Sequence, residues 1–234
     1  MSEQIVDDTR HELVLSYLEA VLVANRGGSA VQTVLEGGAV DVVTECCHPS
    51  VIEADSRITS VALRFLGKLI EHGAVDPHVS QLPQFAELME VLERYTCTFA
   101  ADTDNACLRS CAVEALRSAS SSSLGHQLFS RRHDLTSLLL ESLLDDPSIF
   151  VRNTAWLVFE NLCSSTVADG SPFINAVERY IRSGLVRGDE AASLQQRRRL
   201  VVALQMLVII AKCQLDERLQ SMFEFAIMDK MQPR

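Results

Sequence analysis

The fold of this 234-residue chain is decided by the stretch Gly125–Ser164, GHQLFSRRHDLTSLLLESLLDDPSIFVRNTAWLVFENLCS. Apolar side chains recur in this stretch at every third or fourth position, which is the period of an amphipathic helix and not the alternation of a strand. Asp146 and Pro147 are typical of a helix start, because aspartate caps helix N-termini and proline fits the first helical turn. The stretch therefore predicts three consecutive helices, at 125–132, 134–144 and 148–164.

Helical periodicity continues over nearly the whole chain, and no stretch shows a convincing strand alternation. Glycine, proline and aspartate residues punctuate the pattern at the expected helix ends, since glycine accepts the left-handed backbone conformation that closes a helix. The fold prediction is therefore all-α. The helices predicted outside the quoted stretch cover residues 8–24, 29–36, 39–47, 55–72, 84–99, 103–119, 171–186, 191–213 and 216–230.

Four of the predicted long helices share one template, in which an apolar residue is followed by small or apolar residues four, eight and eleven positions later. The second positions of the template lie 50, 43 and 49 residues apart. Self-similarity at such a period is typical of helical repeat arrays, in which one unit cannot bury its apolar face alone and successive units stack. The four sets are Ile58/Ala62/Leu66/Leu69, Leu108/Ala112/Leu116/Ala119, Val151/Ala155/Phe159/Leu162 and Leu200/Leu204/Val208/Ala211.

One of these units resembles a known superfamily. The pattern Asp146-Pro147-x-x-x-Val151-Arg152-x-x-Ala155 is similar to the Asp…Val-Arg…Ala signature of armadillo/HEAT helical repeats. The resemblance covers most of 28–213 and implies a right-handed α-solenoid of about four repeats in a single domain over 1–234. The predicted repeats are 28–73, 74–124, 125–166 and 171–213, with 8–24 and 216–230 as capping terminal helices.

The function that we expect is a non-catalytic protein–protein interaction scaffold or adaptor, in which the stacked long helices form a concave wall that holds a partner segment. Each candidate anchor also has a structural alternative: the arginines would contact Asp104 and Asp146, and the tryptophan would fill a seam between repeats. Nuclear-import armadillo domains carry Trp and Asn four residues apart, whereas the pair here is five apart, so that peptide-binding role is not transferred. The candidate anchors are Arg109, Arg152, Trp156 and Asn161.

Two other functions compete with this prediction: an armadillo-like co-chaperone or assembly factor that grips a folded ATPase domain, and an RNA-binding helical repeat. The formal charge of −10 disfavours a nucleic-acid partner. The charge is uneven, however, because residues 1–60 contain three Lys or Arg and ten Asp or Glu, whereas residues 181–234 contain nine and six. A basic docking patch is therefore a further candidate, made of Arg182, Arg187, Arg197, Arg198 and Arg199.

No catalytic, cofactor, metal or small-molecule site is expected, because nucleophile-elbow, phosphate-loop, metalloprotease and dinucleotide motifs are missing. Most of the seven cysteines lie in apolar helical stretches, where free thiols act as small hydrophobes and indicate a reducing compartment, cytoplasmic or nuclear. The longest apolar run, 200–211, makes about 18 Å of helix, too short to span a membrane. A serine tract expected to be flexible offers candidate phosphorylation sites, namely Ser120, Ser121, Ser122 and Ser123.

Overall fold

The computed structural model describes residues 13–20, 28–102, 104–164, 172–185 and 194–212. Every long regular element within these ranges is an α-helix, so the all-α prediction is confirmed. The predicted helix 216–230 and the outer turns of 8–24 lie outside the described residues. The helices are α1 (13–20), α2 (Gly28–Glu36), α3 (Ala39–Cys46), α4 (Pro49–Ala54), α5 (Ser56–Gly73), α6 (Pro83–Ala100), α7 (Ala106–Ser120), α8 (Ser123–Arg131), α9 (His133–Glu141), α10 (Ile149–Ser164), α11 (Pro172–Leu185) and α12 (Leu194–Lys212).

Side-chain caps set several of these helix starts. Asp55 caps α5 by accepting a hydrogen bond from the Arg57 amide at 2.9 Å. Asn105 caps α7 in the same way, so this helix begins later than the predicted residue 103. The short helix α4 is missed by the sequence analysis, which treats Pro49 as a helix end. Pro49 instead occupies the first turn of α4 and His48 is its cap, because proline lacks only an amide that the first turn does not use.

The chain divides into two compact units, one up to Leu128 and one from Phe129. In the first unit, α5 and α7 pack side by side over small residues. A methyl group added to Gly67 would lie 3.2 Å from the Cα of Ala115, so there is almost no space between the two backbones. All eight template residues of α5 and α7 are buried, as the template predicts.

The core of the second unit is built around aromatic rings. Phe173 of α11 contacts Phe159 of α10 at 6.1 Å between ring centroids and Phe129 of α8 at 6.5 Å. The buried Thr136 hydroxyl donates a hydrogen bond to the Phe129 carbonyl at 2.9 Å, which ties α9 to the end of α8. The template residues of α10 are all buried, so the template also holds for this helix.

In α12, by contrast, the predicted template is wrong by one residue. Leu204 and Val208 were expected in the core but are 42% and 60% exposed, whereas Ala203 and Leu207 are buried. A shift of one residue rotates the buried face by 100° about the helix axis. The corrected register places an alanine at the second template position, as in α5, α7 and α10. Because 200–211 is apolar on nearly all sides, periodicity alone could not select the buried face.

The corrected register can be tested by truncating one residue on each face. We expect Leu207→Ala to lower the free energy of unfolding by about 2–5 kcal/mol, because it leaves a cavity in the core. The matched change Leu204→Ala should cost less than about 1 kcal/mol, since much of that side chain is already in water. Chemical denaturation followed by circular dichroism measures both. A larger loss for Leu204→Ala would contradict the corrected register.

Candidate functional site

An apolar groove of about 450 Å³ lies between α10 and α12 in the second unit. The indole ring forms the α10 side, and four side chains of the outward face of α12, together with Gln205, form the other. Apart from Gln205, the lining is hydrophobic. The lining residues are Trp156, Val201, Leu204, Gln205, Val208 and Ile209.

Trp156 is held at the edge of the core and is not fully part of it. It lies next in sequence to the buried Ala155, and its ring packs edge-on against the buried Phe159 at 5.8 Å and 83°. The indole is half-buried, and no hydrogen bond to its N–H is seen within the described residues. The ring is therefore fixed on one side and presents the other side to the groove.

The α12 side of the groove is a stripe of exposed aliphatic residues. Val201, Leu204 and Val208 follow one another at helical spacings of three and four, so they lie on one face of the helix. Their exposure follows from the register of α12, since Ala203 and Leu207 take the buried positions. A contiguous apolar stripe that the core does not use is typical of an interaction surface.

The two ends of the groove differ in charge. At one end, Lys212 of α12 contacts Glu160 of α10, with 2.8 Å between Nζ and Oε1, so both charges are paired. At the other end, Arg197 and Arg198 precede Val201 by about one turn and are exposed. The groove thus has a neutralised end and a basic end.

Solved structures with a similar fold are designed armadillo repeat proteins. One, in complex with the peptide (KR)4, has 18% identity and a TM-score of 0.53, covering 92% of this chain and 90% of that chain. A second has 16% identity and a TM-score of 0.54, covering 93% and 92%. A third, designed for modular peptide recognition, has 17% identity and a TM-score of 0.51, covering 92% and 90%. No protein-family model matches the sequence, and no curated protein matches it.

The chain has an armadillo-like helical repeat fold. The likeness of fold extends over about nine-tenths of the chain. At these identities it shows the fold, and the residues of the groove are this chain's own.

Within the armadillo-like fold, the two template arginines hold helix starts. Arg109 is only 6% exposed, and its guanidinium donates to the carbonyl of Asp102 at 2.7 Å. Arg152 donates in the same way to the carbonyl of Asp146 at 2.5 Å. Arg109 thus contacts Asp102 and not the expected Asp104. Both arginines donate to backbone carbonyl oxygens. The prediction that Arg109 is a surface anchor is therefore wrong. Arg152 is half-buried and lies one turn before Trp156 on α10.

The remaining candidate residues are dispersed and do not form one patch. Asn161 does not line the groove, because five residues place it about 140° around α10 from Trp156. Arg182 is paired with Glu178 on its own helix, and Arg187 lies outside the described residues. Arg199 faces a second cavity, so the three consecutive arginines of α12 do not share one surface.

This second cavity is polar, with a volume of about 270 Å³. Arg179 and Arg199 line it together with Glu141, so charges of both signs face it. Burial raises the pKa of Tyr180, and the positive charge of Arg199 opposes that shift. The phenol therefore stays protonated near neutral pH, and it can donate a hydrogen bond but cannot act as a nucleophile there.

Among the cysteines that the structure describes, Cys46, Cys47 and Cys163 are buried and Cys107 is exposed. Burial raises the pKa of Cys47 to about 12 and that of Cys111 to about 11, so neither forms a reactive thiolate near neutral pH. Cys107 departs from the core prediction, because it is exposed in the first turn of α7, where its sulfur lies 3.7 Å from the Ser60 hydroxyl. In the described ranges no cluster of His, Cys, Asp or Glu could hold a metal ion, and no helix is long and apolar enough to cross a membrane.

The serine tract is ordered and contains helix ends. Ser120 is fully buried in the last turn of α7, and its hydroxyl donates to the Arg117 carbonyl at 2.8 Å. A kinase could not reach this hydroxyl without opening the helix end. The prediction of Ser120 as a phosphorylation site is therefore wrong. Ser121 and Ser123 are exposed, and Ser123 begins α8.

The groove residues of α12 were missed in the sequence analysis, although a signal for them exists. The run 200–211 contains more apolar residues than one buried face can hold. The excess predicts a second apolar face without saying which residues form it. The packing of Ala203 and Leu207 selects the two faces.

The structural role of Arg109 predicts a loss of stability upon its removal. We expect Arg109→Met to lower the free energy of unfolding by about 1.5–3 kcal/mol, because the half-buried Asp102 carbonyl loses a charged donor. Arg94→Met, an exposed position on α6, is the control and should change it by less than about 0.5 kcal/mol. Thermal and denaturant unfolding measure the difference, and equal stability of the two variants would contradict the assignment.

Proposed function

We propose that this chain is a non-catalytic protein-interaction scaffold or adaptor, and that a segment of a partner polypeptide binds in the groove beside Trp156. The observation that carries the proposal is the second apolar face of α12, which lies next to a half-buried tryptophan. Tryptophan is enriched at the energetic centres of protein interfaces, where it fills dry pockets. The groove offers such a centre, bordered by charged side chains.

The resemblance to designed armadillo proteins supports this proposal. One of these proteins is in complex with the peptide (KR)4, and another was designed for modular peptide recognition. A chain with the same fold thus presents a surface on which a polypeptide can lie. At 16–18% identity the fold is shared, whereas the groove side chains have to be argued from this chain alone.

The mechanism of binding is geometric. α10 and α12 are long helices fixed by packing, so the groove is formed before a partner arrives and little loop ordering opposes binding. Apolar side chains of the partner displace water from the aliphatic stripe and contact the free side of the indole. Trp156 is the proposed anchor, and Arg152, one turn earlier on α10, adds positive charge near it.

The proposal is tested with peptides selected from a random display library on the immobilised full chain. The chain has one tryptophan, so Trp-free peptides that bind the groove should shift its fluorescence to shorter wavelengths. Binding to the immobilised variants, which needs no tryptophan signal, is expected to weaken about 30-fold or more in Trp156→Ala and in Leu204→Glu, the size typical of an interface hot spot.

The matched control is Val75→Glu, which places the same charge at an exposed aliphatic position of the first unit. It should leave binding unchanged, and circular dichroism should show that all variants are folded. Selected peptides that bind Leu204→Glu as tightly as the wild type and leave the emission of Trp156 unchanged would refute the proposal.

A further inference from the structure

The charge around the groove changes along its length in a defined direction. Trp156 lies beside the middle of the α12 stripe, and Glu160, one turn later, reaches Lys212, one turn beyond Val208. The two helices therefore run in the same direction past the groove. Their earlier turns lie at one end of the groove and their later turns at the other.

Within the part of the chain that the structure describes, the charged groups at the later end are Glu160 and Lys212, which pair with each other. The earlier end carries Arg197 and Arg198, which precede Val201 by four and three residues and so share its face. Both guanidinium groups are exposed, and no described residue pairs with either of them. Two exposed positive charges that pair with no described residue therefore lie at the end of an apolar stripe.

The other charged groups at the earlier end do not cancel the excess of positive charge. Just before α10, the carboxylate of Asp146 accepts from the Ser148 amide at 2.7 Å, and its negative charge offsets the positive charge of Arg152, which donates to the Asp146 carbonyl. On the far side of α12, Glu141 faces Arg199 across the polar cavity. Glu141 is thus placed to offset Arg199, and Asp145, which acts on Tyr180 beside the same cavity, adds one further negative charge. Among the described residues, Arg197 and Arg198 together outnumber that single carboxylate.

From this arrangement we propose that the partner of the groove is a segment with apolar residues at helical spacing and a cluster of Asp or Glu at one end. The apolar residues cover the α12 stripe and the indole, and the acidic cluster lies against Arg197 and Arg198. This inference rests on the proposed function, since it assigns the chemistry of the ligand of the same groove. It also fixes the direction of the segment, because among the described residues the excess of positive charge lies at one end of the groove.

The net charge of −10 would favour a basic partner at long range. At physiological salt, however, charges are screened beyond about 8 Å, so the groups that touch the bound segment decide its preference. The basic peptide (KR)4, which is bound in the complex of one designed armadillo protein, serves as a probe of opposite charge. We expect (KR)4 to bind poorly in the present groove, because it lacks apolar residues and carries the same charge as Arg197 and Arg198.

The test uses three Trp-free synthetic peptides with one leucine-rich helical core and a Glu-rich, Gln-rich or Lys-rich flank, together with (KR)4. Binding to the full chain at physiological salt is followed by the fluorescence of Trp156. Two exposed ion pairs are expected to make the Glu-flanked peptide bind about 3- to 10-fold tighter than the Gln-flanked one. The Lys-flanked peptide should bind more weakly than both.

The double variant Arg197→Glu/Arg198→Glu should reverse this order. Its control is Arg94→Glu/Arg131→Glu, which changes the net charge equally at exposed positions far along the sequence and should keep the order. Equal binding of the Glu- and Gln-flanked peptides would overturn the inference and leave the proposed function intact. If no peptide shifts the emission, the proposed function fails as well.

A second copy of this chain is the competing occupant of the groove. Two measurements distinguish it from a partner segment. Without any peptide, the fluorescence of Trp156 would shift to shorter wavelengths as the protein concentration rises, and sedimentation would show a dimer. Loss of that dimer in Leu204→Glu would identify the groove as its interface and overturn the assignment of an acidic partner segment. We expect the emission to be independent of concentration.

Discussion

The close approach of long helices over small side chains is the constraint on which the rest of the structure depends. In the first unit Gly67 leaves no room between α5 and Ala115 of α7. In the second unit the buried Ala155 and Ala203 occupy equivalent template positions on α10 and α12. Burial of a small residue at each of these positions sets the face that each helix turns toward the core. The rotation in turn decides which side chains enter the core and which stay outside.

The groove is a direct consequence of this constraint in α12. With Ala203 and Leu207 buried, Leu204 and Val208 lie about 100° further around the helix and stay partly outside the core. They lie instead beside Trp156, whose own rotation is fixed by its contact with Phe159. Two rigid helices thus provide an apolar surface without any loop having to order, which is the condition for preformed binding sites.

Much of the fold could be predicted from the sequence because its signals are local. Asp55 and Gly38 mark helix boundaries through capping and a left-handed backbone conformation with φ of 87°, and both act on their immediate neighbours. The apolar template also holds where polar residues flank the buried face, as around Ala112. It fails in α12 because a helix that is apolar all round has no preferred face until a neighbouring helix is placed beside it.

The site could be predicted only in part, for the same physical reason. Trp156 is recognisable from its residue type, but its partners on α12 are separated from it by more than forty residues and meet it only through packing. Arg109 and Arg152 occupy the same template position, yet only Arg109 is fully buried. The exposure of an arginine depends on what covers it from other elements, and a pattern within one helix does not contain that information.

The energetics of the groove explain why its charged end matters. Val201, Leu204 and Val208 each keep roughly half of the side chain in water, and covering these halves contributes about 2–5 kcal/mol in total. A micromolar complex needs about 8 kcal/mol after the loss of translational and rotational freedom has been offset. The aliphatic stripe alone therefore cannot hold a partner, and the indole must add a large share. When the affinity is this weak, the few-fold increase in affinity that two arginines contribute decides whether the segment is bound.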